Sequence, residues 1–262
     1  MLSLEYLLEE ARSNGLPILK KRGVLREYLQ VIILNSISKH SFGKSMLFTG
    51  GTSLRFFYNM PRFSEDLDFD AVDLSFEEFE EILESVRKGL LKEGFSLKVS
   101  SERRNNLYVT QLHFKDLMRL YKITDRRGLD LMIKIEVYMP SWKLQSESSV
   151  LSLYGYNFSS VLLDRGYLFS EKLCALFNRG RGRDIYDTLF MLKKRFPFNE
   201  DVLWANKIKG KPAELILKYL DSLSEKELKF LANQVRPFLF KEDDVQLVLN
   251  APLYAERFLR EY

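Results

Sequence analysis

The clearest pattern in the chain is a strict alternation of apolar and polar positions over residues 130–138. The residues on one side are all apolar: Leu131, Ile133, Ile135 and Val137. Lys134 and Glu136 fall on the other side. A period of two predicts a β-strand with one face in the core. We therefore expect a core strand whose second face carries charge.

Similar patterns predict the other elements of the first half. Apolar runs and alternation predict strands at 46–48, 95–100 and 107–114. Apolar residues at helical spacing predict helices at 2–12, 18–39, 54–58 and 75–92. The helix at 18–39 is predicted to be amphipathic, with an interruption near Gly23, and the polar residues 101–106 predict a turn.

The second half changes character. Residues 141–166 are rich in serine and glycine, which predicts a loop-rich segment with one short strand at 150–154. Helices are predicted at 168–178 and 184–195, followed by three or four more in 199–262. Strands followed by helices predict an α+β protein. We expect two domains, 1–160 and a mainly helical 161–262.

Composition narrows the classes of function. The chain has 262 residues, a net charge of +4, one cysteine and two histidines. A single cysteine excludes an internal disulfide and a cysteine-based zinc cluster. No apolar run approaches a membrane span, and the N-terminus lacks a basic start, so we expect a cytoplasmic protein without a membrane partner. The mild positive charge is compatible with a nucleic-acid partner without establishing one.

Candidate chemistry lies in residues 47–70. An apolar run ends at Gly50 and Gly51, where the backbone can turn sharply, and the hydroxyls of Thr52 and Ser53 follow. Amides at such a turn, beside the start of a helix, favour an anion such as a phosphate.

Two carboxylates follow in the same segment. Asp66 and Asp68 lie on one face of a strand, roughly 7 Å apart. Such carboxylates suit Mg²⁺ or Mn²⁺, and a solvated acidic edge is the alternative interpretation.

These residues carry a resemblance to a known family. The segments 50–55 (GGTSLR) and 62–68 (RFSEDLD) resemble the signature of the AbiEii-like nucleotidyltransferases, members of the DNA polymerase β-like superfamily. The resemblance implies a mixed sheet flanked by helices, with a C-terminal helical bundle. It also implies an NTP donor, Mg²⁺ or Mn²⁺, an RNA acceptor such as a tRNA 3′ end, and a separately encoded antitoxin.

The resemblance also implies roles for single residues. Asp66, Asp68 and a third carboxylate, Glu136, would hold the metal and act in catalysis. The residues implied in nucleotide binding are Gly50, Gly51, Thr52, Ser53, Arg55, Lys134 and Arg183. For Lys134 and Glu136, the alternative is a surface ion pair of little energetic value.

The C-terminal half carries a second part of the resemblance. A helical lysine followed by an Arg-Asp-x-x-Asp pattern matches Lys172, Arg183, Asp184 and Asp187. The implied role of Lys172 is to stabilise charge at the triphosphate, with Asp184 or Asp187 holding the lysine or the nucleotide. The alternative is a capping aspartate and a helix-surface salt bridge.

Basic loops could contact RNA or simply be solvated. Their members are Arg103, Arg104, Arg126, Arg127, Arg179, Arg181 and Arg183. Two further functions stay open: nucleotidyl transfer to a small-molecule or protein hydroxyl, and a nucleotide- or RNA-binding regulator without activity.

Overall fold

A computed structural model describes residues 1–261, and these divide into two compact units. The sheet unit comprises residues 1–59, 63–141 and 146–163. The helical unit comprises residues 60–62, 142–145 and the chain from Asp164 onward. Each unit has its own core, and the fold is α+β, as expected from the succession of strands and helices.

The sheet unit is built on seven strands. They are β1 (Met46–Thr49), β2 (Leu67–Ala71), β3 (Lys98–Arg104), β4 (Leu107–Phe114), β5 (Leu131–Tyr138), β6 (Ser146–Leu153) and β7 (Tyr156–Leu163). Their order is β3-β4-β5-β2-β1-β7-β6. The sheet is mixed, because β1 is parallel to β7 and β2 to β5 while the remaining pairs are antiparallel.

Alternation explains why the central strands form. Every second residue of β5 is fully buried and the others are half-buried, which confirms the predicted core face. In β4 the same alternation recurs, with Tyr108, Thr110, Leu112 and Phe114 buried. One face of the sheet therefore lies in the core, and across β4 and β5 the opposite face stays partly open to solvent.

Five helices belong to the sheet unit. They are α1 (Leu4–Ser13), α2 (Lys21–Lys39), α3 (Gly50–Tyr58), α4 (Phe76–Lys92) and α5 (Leu117–Leu120). The prediction of an interrupted, amphipathic α2 was wrong. This helix is continuous through Gly23 and buried on all sides from Val24 to Ile37. Gly23 is needed because a Cβ there would come within 2.8 Å of the Phe63 ring.

The helical unit contains the remaining helices. They are α6 (Arg165–Arg179), α7 (Gly182–Lys193), α8 (Glu200–Ala205), α9 (Pro212–Asp221), α10 (Glu225–Val235), α11 (Gln246–Leu249) and α12 (Ala251–Arg260). Helix α7 is central to this unit, with Asp184, Ile185, Tyr186, Asp187 and Leu189 all buried. Among the described residues, no helix is long and apolar enough to cross a membrane.

Two predictions about strands were wrong. The segment 141–166, expected to be loop-rich, contains β6 and β7, joined by a tight turn at Tyr154 and Gly155. Its serines weakened the strand pattern, because they occupy exposed positions of edge strand β6. Strand β3 extends through Arg104, where a turn was expected, because each of its residues pairs with β4 although all are exposed.

Candidate functional site

The glycine turn lies between β1 and α3. Gly50 has φ +75°, a conformation that L side chains rarely adopt, and it is already the first residue of α3. The helix was expected to begin at Leu54. A Cβ added at Gly50 would overlap the carboxylate of Asp68. Glycine is therefore required both for the backbone conformation and for the close approach of the aspartate.

The two hydroxyls after the glycines face inward. Thr52 Oγ1 donates a hydrogen bond of 2.5 Å to the backbone oxygen of Asp66, which ties α3 to the start of the aspartate strand. Ser53 is fully buried, and its hydroxyl has no hydrogen-bond partner within residues 1–261. Backbone amides in the first turn of α3 have no intrahelical acceptor, so they supply the donors that this turn can offer an anion.

Strand pairing brings two of the predicted carboxylates side by side. Asp68 on β2 and Glu136 on β5 are register partners in a parallel pair. Register partners project from the same face of a sheet, so the two carboxylates share a face. Asp66 lies two residues before Asp68, just before β2 begins. The three carboxylates come from two segments separated by nearly seventy positions.

Lys134 lies among these carboxylates. Its Nζ is 2.9 Å from Glu136 Oε2 and 3.7 Å from Asp66 Oδ2. Burial by itself would lower the pKa of Lys134, but the hydrogen bond to Glu136 and the charges of Asp66, Glu136 and Asp68 raise it above the ordinary value. Lys134 is thus an ammonium at neutral pH. We call Asp66, Asp68, Glu136 and Lys134 the carboxylate cluster.

The chemistry of this cluster fits a divalent cation. Within residues 1–261, no three Asp, Glu, His or Cys side chains are arranged to hold a metal ion as they stand. Two of the carboxylates, Asp66 and Glu136, nevertheless meet at a positive charge, that of Lys134. Their hard oxygen donors are those that Mg²⁺ and Mn²⁺ prefer.

The same face continues from the cluster across β4. Val109 is the register partner of Glu136, Gln111 that of Lys134 and His113 that of Met132. These β4 residues are only half-buried. An open strip of polar and apolar side chains therefore borders the carboxylates.

Helix α2 supports the aspartate segment through polar residues that sequence reasoning missed. Gln30 Nε2 donates to the backbone oxygens of Ser64 (3.2 Å) and Glu65 (3.1 Å), and Arg26 Nη1 lies 2.7 Å from Glu65 Oε1. Gln30 is fully buried. For Gln30, the available signal was a glutamine directly before the apolar run Val31-Ile32-Ile33-Leu34 of a helix.

Arg55 occupies a structural position. Its Nε lies 2.8 Å from Glu27 Oε1, and both side chains are buried between α3 and α2. Burial raises the pKa of Glu27, although the paired Arg55 opposes this rise. The pair fixes α3 on α2, and a direct contact between Arg55 and a nucleotide stays a prediction.

A second charged cluster lies in the helical unit. Arg62 Nε and Nη2 each donate a 2.7 Å hydrogen bond to Asp187, and Lys172 Nζ lies 2.9 Å from Asp187 Oδ2. Burial alone would raise the pKa of Asp187, but Arg62 and Lys172 lower it to about 2. We call these three residues the Asp187 cluster. Arg62 stands inside the signature segment, but its spacing gave no sign of this partner.

The two aspartates of α7, Asp184 and Asp187, make different contacts. Asp187 contacts Lys172. Asp184 accepts from the backbone of Arg181 (3.0 Å), which caps the helix, and from both Arg179 Nε (3.0 Å) and Nη2 (2.9 Å). For Asp184 the capping interpretation therefore agrees with the structure.

Three further arginines of the predicted basic loops, Arg103, Arg104 and Arg183, make local contacts. The Arg183 guanidinium lies 4.7 Å from the centre of the Phe238 ring. Arg103 lies 5.8 Å from the centre of the Tyr108 ring, and Arg104 pairs with the exposed Glu102 at 2.7 Å. Contacts of these arginines with RNA stay predictions.

Comparisons with known proteins identify the family and the fold. The family model described as "Nucleotidyl transferase AbiEii toxin, Type IV TA system" matches residues 32–248. No curated protein sequence matches the chain. Two solved structures share its fold. JHP933 from Helicobacter pylori has a TM-score of 0.58 at 18% identity, covering 91% of this chain and 92% of that one. MenT4, a nucleotidyltransferase toxin from Mycobacterium tuberculosis, has a TM-score of 0.56 at 19% identity, covering 99% and 93%.

Proposed function

Because the chain belongs to the AbiEii family of nucleotidyltransferase toxins of type IV toxin–antitoxin systems, we propose that it transfers a nucleoside monophosphate from an NTP to an acceptor hydroxyl. The observation that carries this proposal is the Asp68–Glu136 register pair lying against the Gly50 turn. Nucleotidyl transfer needs a turn that binds phosphates. It also needs carboxylates that can hold a metal and accept a proton. Here the turn and the carboxylates are adjacent.

The proposed reaction is an in-line displacement. The acceptor oxygen forms a bond to the α-phosphorus, the bond from that phosphorus to the bridging oxygen breaks, and pyrophosphate leaves. Glu136 helps to activate the acceptor hydroxyl by accepting its proton. Asp66, Asp68 and Glu136 would hold Mg²⁺ or Mn²⁺, which would supply Lewis-acid stabilisation of the developing charge.

The turn at Gly50 and Gly51 is proposed to hold the β- and γ-phosphates through backbone amides of α3. Because the hydroxyls of Thr52 and Ser53 face inward, we assign their side chains to stabilising the fold and their backbone amides to binding phosphate. Stabilisation of the triphosphate by Lys172 is a proposal from the family resemblance. Its pairing with Asp187 supports a fixed orientation of the ammonium group.

RNA, and specifically a tRNA 3′ end, is the proposed acceptor. The half-exposed strip of β4 beside Glu136, with Gln111 and His113, offers hydrogen-bonding groups next to the carboxylates. The family description also supports a cognate antitoxin as a protein partner.

Transfer of label from NTPs to RNA tests the proposal. The full-length protein is incubated with each α-labelled NTP, Mg²⁺ and total cellular RNA, beside Asp68→Asn and Asp73→Asn. We expect label in a tRNA-sized band and a loss of at least about a hundredfold in Asp68→Asn, since an electrostatic contact to the reacting groups is removed. Asp73, exposed just beyond β2, is the matched control and should retain activity.

The other outcomes separate the alternatives. Label found only in protein or in small molecules would mean that the acceptor is a protein or a small molecule and not RNA. Equal, background incorporation by wild type and Asp68→Asn with every NTP would reject the enzyme and leave a nucleotide- or RNA-binding regulator.

A further inference from the structure

We propose that Lys134 is a built-in counter-cation of the carboxylate cluster, which a divalent metal must displace, so that metal and nucleotide bind cooperatively. This inference rests on the proposed function and adds a regulatory step to the same site. It assigns Lys134 a role before the nucleotide arrives, in addition to any later contact with a phosphate.

The position of the ammonium supports this role. Lys134 and Glu136 are separated by one residue on β5, and their side chains project from the same face. The ammonium bridges Glu136 (2.9 Å) and Asp66 (3.7 Å), which belong to different segments. The Lys134 side chain is 26% exposed, so the ammonium can leave the cluster without unfolding the sheet.

Charge balance explains why the lysine is needed in the absence of a metal. Three carboxylates on one face repel one another unless a positive charge or water separates them. A single ammonium relieves part of this repulsion but leaves the cluster with a surplus of negative charge. The cluster is therefore stable without a metal and still attracts one.

Displacement of the Lys134 ammonium couples metal binding to nucleotide binding. A divalent cation and the ammonium compete for the same carboxylate oxygens, so the metal alone must break the contacts of Lys134. A bound triphosphate gives the released ammonium a new anionic partner and removes this penalty. By thermodynamic linkage, the nucleotide must then tighten metal binding, and the metal must tighten nucleotide binding, by the same factor.

Mn²⁺ binding measured by electron paramagnetic resonance tests this coupling without relying on activity. Wild type, Lys134→Met and Lys134→Gln are titrated with Mn²⁺, without nucleotide and then with a non-hydrolysable NTP analogue. Lys98→Met is the matched control, because Lys98 is an exposed strand lysine in the same unit. Asp68→Asn reports whether the Mn²⁺ signal belongs to this site.

We expect both Lys134 variants to bind Mn²⁺ alone about tenfold tighter than wild type, since a nearby positive charge is lost. The nucleotide should tighten Mn²⁺ binding strongly in wild type and in Lys98→Met, and much less in the Lys134 variants. In EDTA the Lys134 variants should melt at a lower temperature than wild type, and Mn²⁺ should reverse that loss.

Failure of this inference can be told from failure of the proposed function. If wild type and the Lys134 variants bind Mn²⁺ equally, and Asp68→Asn abolishes binding, the counter-cation role is wrong while the metal site stands. If none of the proteins binds Mn²⁺ with or without the analogue, the metal-dependent function is wrong as well.

Discussion

The two charged clusters of this chain are opposite in composition and in exposure. The carboxylate cluster holds three carboxylates and one ammonium, with Asp66 and Glu136 in contact with Lys134, and it is partly open to solvent. The Asp187 cluster places one carboxylate between two cations, and Asp187 is fully buried. The contacts of Asp187 with Arg62 and Lys172 are between 2.7 and 2.9 Å.

This difference indicates different duties. An exposed surplus of negative charge can exchange one cation for another at little structural cost. A buried carboxylate with two cationic partners is held by short, charge-assisted hydrogen bonds and cannot rearrange without leaving charges unpaired. We infer that the carboxylate cluster can exchange its bound cation, whereas the Asp187 cluster keeps fixed contacts.

Asp187→Asn should break the second cluster most severely. The substitution keeps the shape of the side chain but leaves Arg62 and Lys172 without their anion. Removing one partner of a buried ion pair costs about 3–5 kcal/mol of unfolding free energy. Urea unfolding followed by circular dichroism measures the loss. Asp221→Asn, at the exposed end of α9, is the control and should change stability by less than about 0.5 kcal/mol. An equally small change in the unfolding free energy of Asp187→Asn would contradict the conclusion that the contacts of Asp187 with Arg62 and Lys172 stabilise the fold.

Arg62→Met should have a smaller effect on the same cluster. It removes two hydrogen bonds to Asp187 but leaves Lys172 as a cationic partner. The expected loss is about 3 kcal/mol, since each hydrogen bond to a charged group contributes about 1.5–3 kcal/mol and Lys172 still pairs with Asp187. Arg62→Lys keeps the charge and should lose less, whereas the exposed Arg257→Met should match wild type. If Arg62→Lys is as unstable as Arg62→Met, the two-pronged geometry matters more than the charge.

Acid should weaken the Asp187 cluster over a defined range. The pKa of Asp187 is lowered from about 3.8 to about 2 in the folded chain, against the effect of burial, by Arg62 and Lys172. The stability that this shift contributes is present above about pH 4 and is lost as the pH falls through about 2, an amount of about 2 kcal/mol. The stability difference between wild type and Asp187→Asn should therefore shrink over this range. A difference that stays constant with pH would show that Asp187 does not titrate with a lowered pKa.

Sequence patterns predicted the elements whose signal is local. Strand β4 has the predicted bounds, and β5 differs by one residue, because burial of one face imposes a period of two. Strand β6 escaped prediction because an edge strand can carry serines at exposed positions without losing its pairing.

For the charged clusters too, the sequence predicts only contacts between residues that are close together in the chain. Asp66 and Asp68 stand two residues apart in the sequence, so the spacing along an extended chain already predicts that their side chains lie near each other. Arg62 and Asp187 are 125 positions apart, and no periodicity relates them. Asp184 and Asp187 have the same side chain three residues apart, and the positions of Arg62, Lys172 and Arg179 in the fold distinguish their partners.

Gly50→Ala tests the carboxylate cluster at its glycine turn. A Cβ at Gly50 adds both the strain of a positive φ and an overlap with the Asp68 carboxylate. Gly155→Ala is a close control, because Gly155 has φ +78° but nothing lies within 4 Å of its Cβ position. Both variants should lose about 1 kcal/mol of stability from backbone strain. Gly50→Ala should in addition displace Asp68 and weaken Mn²⁺ binding, whereas Gly155→Ala should bind Mn²⁺ as wild type does. Equal Mn²⁺ affinities in the two variants would mean that Asp68 can move away from the turn and still hold a cation, so that the close approach to Gly50 is not required for binding.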